Sequence, residues 1–325
     1  MTLSHEQIVT LQLTKGIGAV SINKICDAAE GSQSALDVNG LYELIDHMIK
    51  VRELNKVSLP DFNLFYSNFL KAKHLLSESE MMGINVVSKY DDCFPSNLLH
   101  AVDETGKPAV PVILYYKGDL SITKKPAIAI IGTREPSEDG VTAGHFFGKV
   151  FGDNGFNIVS GLAIGCDTCG HEGALQSNGG STTAFLAHGL DTIYPKENEA
   201  LAERILNAGG LLMSEYPIGE RVNRYNLVAR DRLQAALANG TLVVQTGVRG
   251  GTMHAVRATI AAGKPVFVAK FKQATDKTAG NELLASNGAK WVDTRRAIEE
   301  IVCDLTSSKH TTKDCLTSCE PTLFG

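Results

Sequence analysis

Glycine, hydroxyl and arginine residues recur in this sequence where a phosphate group could be bound. Gly132-Thr133-Arg134 follows an apolar run and supplies a tight turn, a hydroxyl and a planar guanidinium that matches phosphate oxygens. Ser137 is predicted to cap the next helix, whose N-terminus favours an anion. The pattern is not the glycine fingerprint of dinucleotide-binding enzymes, so a nicotinamide enzyme is disfavoured.

Two glycines follow the next apolar run. Gly161 and Gly165 come after Phe156–Val159, and their backbone amides could be free to cradle a phosphate. Between Arg221 and Lys272 the sequence has nine basic residues and one acidic residue, Asp231. This segment of the chain could therefore form a basic surface.

An alternation of apolar runs and amphipathic stretches must position these residues. It extends from Gly83 to Lys270 and predicts a Rossmann-like α/β fold, with a mostly parallel sheet and helices on both faces. In such sheets ligands bind at the carboxyl ends of the strands. The predicted strands are Ala127–Ile131, Phe156–Val159, Thr183–Ala187, Leu211–Met213, Leu242–Val244 and Val266–Val268, with Ile84–Val87 and Val112–Tyr116 before them.

A small all-helical domain is predicted before the sheet, over residues 1–76. Within it, Gly16-Ile17-Gly18 fits a helix–hairpin–helix turn that could meet a DNA phosphate, or a purely structural turn. The sheet domain is predicted over 83–303, and a polar, mobile tail over 304–325.

Composition and charge restrict the class of protein. Hydrophobic residues make up 43% and charged residues 21% of the 325 residues, as in soluble globular proteins. No secretory signal or membrane helix is expected, and seven scattered cysteines suit reduced thiols, so a cytoplasmic location is expected. The net charge of −5 argues against a protein that coats nucleic acid, but a phosphate site needs a local field rather than a positive total.

The ordered series of loops resembles the DNA-processing protein A (DprA/Smf) family. The matching blocks run from about Gly83 to Lys270 in the family's order and spacing. They are Gly132-Thr133-Arg134, Ser160-Gly161-Leu162-Ala163-Ile164-Gly165-Cys166-Asp167, Gly189-Leu190-Asp191, Tyr194-Pro195, Ser214-Glu215-Tyr216-Pro217 and Arg230-Asp231-Arg232.

The resemblance implies sequence-independent binding of single-stranded DNA, assistance to a RecA-type recombinase, and a homodimer. It also implies that phosphates are bound by four segments of the chain: Gly132, Thr133 and Arg134; Ser160, Gly161 and Gly165; Arg230 and Arg232; and Arg249, Gly250, Gly251 and Thr252. It implies no cofactor, no metal, no catalytic residue and no membrane partner. The sequence departs from the family's pattern at Asp231, where the family usually has Asn, and a carboxylate near DNA would repel phosphate. The family's frequent C-terminal winged-helix domain is expected to be missing, and the segment Ala101–Val110 is unexplained.

Three other functions compete with this one. Cys166 and Cys169 with Cys315 and Cys319 could form a zinc site, but the first pair lies in a family motif with no metal role. A nucleotide hydrolase is disfavoured because Ala255 stands where a related loop carries a catalytic Glu. A nucleotide-sensing module using the same loops is the main alternative.

Overall fold

A computed structural model describes residues 2–31 and 35–307 of the chain. Its first part is helical: α1 (His5–Leu13), α2 (Ala19–Glu30), α3 (Val38–Lys50) and α4 (Phe62–Met81). Three of these helices begin at a side chain that accepts a hydrogen bond from a backbone N–H of the first turn, namely Ser4, Asp37 and Asp61. The helical part extends through Met81, five residues beyond the predicted boundary.

The second part alternates strands and helices. The strands are β1 (Asn85–Ser88), β2 (Ile113–Gly118), β3 (Ala127–Ile131), β4 (Asn157–Ser160), β5 (Ser181–Leu186), β6 (Leu211–Ser214), β7 (Gly240–Val243), β8 (Val266–Ala269) and β9 (Lys290–Val292). The helices are α5 (Glu138–Asp153), α6 (Cys166–Leu175), α7 (Glu199–Asn207), α8 (Arg224–Leu237), α9 (Thr252–Ala261), α10 (Ala279–Ser286) and α11 (Arg295–Ser307).

The described strands form one sheet in the order β1-β2-β6-β5-β4-β3-β7-β8-β9. The strands from β6 to β9 in this order are mutually parallel, whereas β1 and β2 pair in antiparallel fashion at one edge. The mostly parallel Rossmann-like sheet is therefore confirmed. β3 lies between β4 and β7, so the strand order reverses there, and this is where α/β sheets open a crevice for ligands.

The contact between α5 and α6 is close because glycines face it. Gly144, Gly148 and Gly152 recur every four residues along α5, so they lie on one side of the helix. A Cβ at Gly148 would overlap the carbonyl of Gly170, and one at Gly173 would overlap the carbonyl of His145. This packing fixes the start of α6, and with it the loop after β4, beside the loop after β3.

The helical part and the sheet share a core. Ile8, Ile25 and Ile45 are fully buried in one apolar cluster with Tyr115 of β2, and the Tyr115 hydroxyl donates to Gln12 Oε1 at 3.1 Å. Lys89, just after β1, donates to Asp27 of α2 at 2.8 Å. The first four helices therefore pack against the β1–β2 side of the sheet.

Two elements near the C-terminus were not predicted. α10 is eight residues long and carries a glycine, and β9 has three residues, so neither gives a clear periodic signal. α11 extends to Ser307, and the first four residues of the predicted tail are thus helical. The rest of that tail, 308–325, lies outside the described residues. No described helix is long and apolar enough to cross a membrane.

Candidate nucleic-acid interface

A cavity of about 550 Å³ opens where the strand order reverses. Its wall comes from the loops after β3 and β7, the start of α9 and one side of α8. α8 reaches this place because it connects β6 to β7, which lie on opposite sides of β3. The cavity therefore lies at the position expected for a ligand site in a parallel sheet.

Three arginines stand at the mouth of this cavity: Arg134, Arg224 and Arg249, named the rim arginines below. All three side chains line the cavity and are exposed. Within residues 2–31 and 35–307 none of them has a hydrogen-bond or ion-pair partner. Arg134 and Arg249 were predicted as phosphate contacts. Arg224 lies in the basic segment but was not among the predicted site residues.

The loop that carries Arg134 is held by Gln245, at the end of β7. The Gln245 carbonyl accepts from Thr133 N at 2.7 Å, and its side-chain oxygen accepts from Ser137 N at 2.7 Å. Ser137 Oγ accepts from Gly140 N, which confirms the predicted helix cap. Gly132 is needed here because a Cβ would overlap Cys166. The guanidinium of Arg134 thus projects from a fixed loop.

The loop after β4 is arranged differently from the expectation. The Asp167 carboxylate accepts from Gly161 N at 3.0 Å and from Ala163 N at 3.3 Å, so the amide of Gly161 is not free for a phosphate. Ser160 Oγ is buried and donates to the Ile130 carbonyl at 2.6 Å. Gly165, at φ +88°, packs against the backbone of Thr133 and Arg134. Ser160, Gly161 and Gly165 support the site from below and do not line the cavity.

Arg230 is also buried, although it was predicted to contact phosphate. Its Nη1 donates to the carbonyls of Gly161, at 2.7 Å, and Phe185, and its Nε donates to Asp231 Oδ1 at 3.1 Å. Burial raises the pKa of Asp231 to about 6, although the charge of Arg230 opposes this shift. Burial also raises the pKa of Asp167, again against Arg230. Asp167, Arg230 and Asp231 form the floor of the cavity.

Arg232 does not line the cavity. It lies one residue beyond Asp231 on α8 and points away from the cavity, toward Glu215 and Ala109. Its Nη2 pairs with Glu215 at 2.6 Å, and its Nε donates to the Ala109 carbonyl at 2.8 Å. The repulsion expected between Asp231 and DNA is thus reduced by Arg230, and Arg232 takes no part in it.

The fourth predicted segment, Arg249 to Thr252, forms the turn before α9. Gly250 has φ +147°, a backbone conformation that favours glycine, and Thr252 is the first residue of α9. Asn281 of α10 steadies the base of this turn, since its side-chain oxygen accepts from Thr246 N at 2.9 Å. Gly250, Gly251 and Thr252 all line the cavity.

Sequence reasoning missed the contact that the segment Ala101–Val110 makes. The Glu104 carboxylate accepts from His254 Nδ1 at 2.6 Å and from Arg257 Nη1 at 2.9 Å, both on α9. His254 lines the cavity. The residues are 150 positions apart in sequence, and no local pattern could have indicated the pair.

Cys166 and Cys169, the first pair of the conceivable zinc site, are buried, and so is His171 of the same helix. Burial raises the pKa of the Cys166 thiol to about 12 and that of Cys169 to about 11. His171 is fully buried, which lowers its pKa to about 3, so its ring is neutral. Within the described ranges no group of three His, Cys, Asp or Glu residues could hold a metal. Cys315 and Cys319, the other half of the conceivable zinc site, lie outside those ranges.

Comparison with known proteins agrees with this geometry. Residues 85–305 match the family model described as DNA recombination-mediator protein A. The chain is 37% identical over 204 residues to the DNA processing protein DprA of Streptococcus pneumoniae, a match that covers 62% of this chain and 68% of that protein. It is 33% identical over 222 residues to the protein Smf of Escherichia coli, covering 67% of this chain and about half, 55%, of that protein.

Two solved structures have the same architecture. The DprA structure from Streptococcus pneumoniae matches with a TM-score of 0.73 and 28% identity, over 92% of this chain and 98% of that one. A DprA structure from Helicobacter pylori, studied for its single-stranded DNA binding mode, matches with a TM-score of 0.58 and 27% identity, over 70% and 97% of the two chains. The chain therefore belongs to the DNA-processing protein A (DprA/Smf) family.

Proposed function

We propose that this protein binds single-stranded DNA, without reading its sequence, by holding phosphates at the rim of the cavity. In a dimer, two such rims would provide a longer path for one strand. The bound DNA would then be offered to a RecA-type recombinase. Family membership supports the recombinase and dimer parts of this proposal, and the geometry of the cavity supports the DNA part.

The rim arginines carry the proposal. An exposed guanidinium without a partner keeps all its donors available, and its planar fork suits a phosphate. The two carboxylates that line the cavity, Asp167 and Asp231, are on its buried side. A phosphate at the mouth would meet the rim arginines first, with the carboxylates below it already hydrogen-bonded.

Binding of the backbone rather than of bases fits the kind of groups at the rim. Guanidinium groups and backbone amides contact phosphates, which every nucleotide has, so they give affinity without sequence information. Glycines 250 and 251 and the Thr252 hydroxyl, at the start of α9, add donors of this type. We therefore expect oligonucleotides of different sequence to bind with similar affinity.

We propose that the cavity binds its ligand and performs no chemical step. Ala255, three residues after Thr252, lines the cavity with a methyl group where a related hydrolase loop carries a Glu. Both carboxylates in the lining are held in hydrogen bonds and cannot easily take the paired positions that acid–base catalysis needs.

Fluorescence anisotropy of a labelled oligo-dT tests the proposal, with the wild type, Arg134→Gln and Arg52→Gln compared. Arg52 is a matched control because it is exposed, carries no partner among the described residues and lies in the helical part. We expect saturable binding by the wild type and the control, and roughly tenfold weaker binding by Arg134→Gln. Equal affinity for all three would contradict the assignment of Arg134.

The same titration separates DNA binding from nucleotide sensing. A cavity of about 550 Å³ is also within the range of small-molecule sites. A DNA-binding rim predicts affinity that increases with oligonucleotide length. A nucleotide sensor predicts that one mononucleotide raises the melting temperature while oligo-dT does not bind.

A further inference from the structure

The hairpin at residues 101–109 is a small folded unit with its own internal bonds. Val102 and Pro108 form an antiparallel bridge, and Asp103 N donates to the Lys107 carbonyl at 2.9 Å. The Asp103 carboxylate closes the turn by accepting from Thr105 N and Lys107 N, at 2.8 and 3.1 Å. Glu104 lies between Asp103 and Thr105 in this turn. The turn therefore fixes the direction in which the Glu104 side chain points.

Glu104 is directed at the side chains of His254 and Arg257 on α9. Its two carboxylate oxygens are used separately, one by His254 and the other by Arg257, at 2.6 and 2.9 Å. All three side chains remain about one third exposed, between 27% and 35%. The contact is an accessible surface ion pair, and pairs of this kind contribute little to stability.

His254 and Arg257 extend the row of groups at the cavity that could bind phosphates. Arg249, Thr252 and His254 all line the cavity, and Arg257 follows on α9 three residues after His254, one helical turn further from the cavity. A strand whose phosphates lie along the rim and the start of α9 would next reach His254 and Arg257. Glu104 lies at that place and offers them an anionic group with two oxygens, as a phosphate would.

We propose that His254 and Arg257 form a further phosphate subsite, that Glu104 fills it in the free protein, and that a single strand longer than the cavity displaces Glu104. This inference rests on the proposed function, because it extends the DNA path of the same site. The hairpin then sets the length of strand at which binding becomes tighter, and it keeps His254 and Arg257 from holding other anions.

Glu104→Gln tests the inference, since it removes the charge and keeps the size of the side chain. Glu203→Gln is the matched control, because Glu203 is an exposed carboxylate on α7 without a partner among the described residues. Affinity is measured by anisotropy with oligo-dT of about 4 and about 16 nucleotides. Thermal unfolding of each variant checks the fold, and Glu104→Asp, which keeps the charge but shortens the side chain, is a second variant.

For the longer oligonucleotide we expect Glu104→Gln to bind roughly fivefold more tightly than the wild type, and Glu104→Asp to lie between them. The slope of log K against log salt should steepen by about 0.7 for each added phosphate contact. The shorter oligonucleotide should show no gain. In an Arg257→Gln background, Glu104→Gln should increase the affinity for the longer oligonucleotide by no more than the Glu203→Gln control does.

The possible failures are distinguishable. If the wild type binds oligo-dT and Glu104→Gln behaves as Glu203→Gln does, the subsite is overturned and the proposed function stands. A gain that persists in the Arg257→Gln background also overturns the subsite, because it reflects net charge alone. If neither the wild type nor Glu104→Gln binds, the proposed function and the subsite are both overturned. Binding by Glu104→Gln alone would support the subsite strongly.

Discussion

The cavity has arginines at its mouth and in its floor, and the two groups are in opposite physical situations. Arg134 and Arg249 are exposed and have no partner among the described residues, whereas Arg230 is buried and donates to two carbonyls and a carboxylate. All three were predicted to contact phosphate from their places in the series of segments that resembles the DprA/Smf family. The comparison teaches that burial and existing partners, rather than residue type, decide which arginine can bind a ligand.

The largest effect is expected at the floor, for Arg230→Ala. The substitution removes the donors to Gly161 and Phe185 and leaves Asp231 and Asp167 buried without their cation. We expect the free energy of unfolding to fall by about 3–5 kcal/mol, measured by urea denaturation. Arg249→Ala is the control at the rim and should change stability by less than about 0.5 kcal/mol. Equal effects of the two substitutions would remove the distinction between rim and floor.

A second prediction for the floor of the cavity compares how stability depends on pH in the wild type and in Asp231→Asn. The pKa of Asp231 is raised to about 6 in the folded protein from its ordinary value of 3.8, so folding favours its protonated form. Its contribution to stability is therefore full below about pH 4 and is lost as the pH rises through about 6. The wild type should lose about 2–3 kcal/mol relative to Asp231→Asn over this window. Parallel stability curves for the two proteins between pH 4 and 7 would show that Asp231 is not perturbed.

The rim should show the reverse of the floor, since its effect is on affinity and not on stability. Arg249→Ala is expected to weaken oligo-dT binding roughly fivefold to tenfold at low salt with an unchanged melting temperature. Arg224→Ala should have a similar or smaller effect, measured by the same titration. The contradicting result is a rim variant that has a lower melting temperature than the wild type and an unchanged affinity for oligo-dT. That result would show that its arginine supports the fold, as Arg230 does, and does not bind DNA.

Much of the sheet could be predicted because parallel strands that are buried on both faces consist of consecutive apolar residues. Ala127–Ile131 is β3 with the same limits, and Ser137 caps α5 as its type and position indicated. β9 and α10 were missed because each is too short to show a period. The site was harder to predict. The Gly161 amide donates to the Asp167 carboxylate, and this hydrogen bond depends on how the loop after β4 folds.

Long-range contacts account for the rest of what was missed. Arg230 reaches the carbonyls of Gly161, just after β4, and of Phe185, in β5, and Glu104 reaches α9 across 150 residues. Sequence periodicity describes neighbours along one element, so it carries no information about such pairs. The sequence does not explain the segment that carries Glu104, and the contact of Glu104 with α9 depends on the sheet, which brings α9 beside that segment.

The salt dependence of oligo-dT affinity tests the central claim most directly, which is that the rim arginines hold DNA phosphates. Log K is measured against log salt for the wild type, Arg134→Gln and the double variant Arg134→Gln/Arg249→Gln. We expect a negative slope for the wild type that becomes shallower by about 0.7 for each rim arginine removed. A wild-type slope near zero, or the same slope in all three proteins, would contradict it.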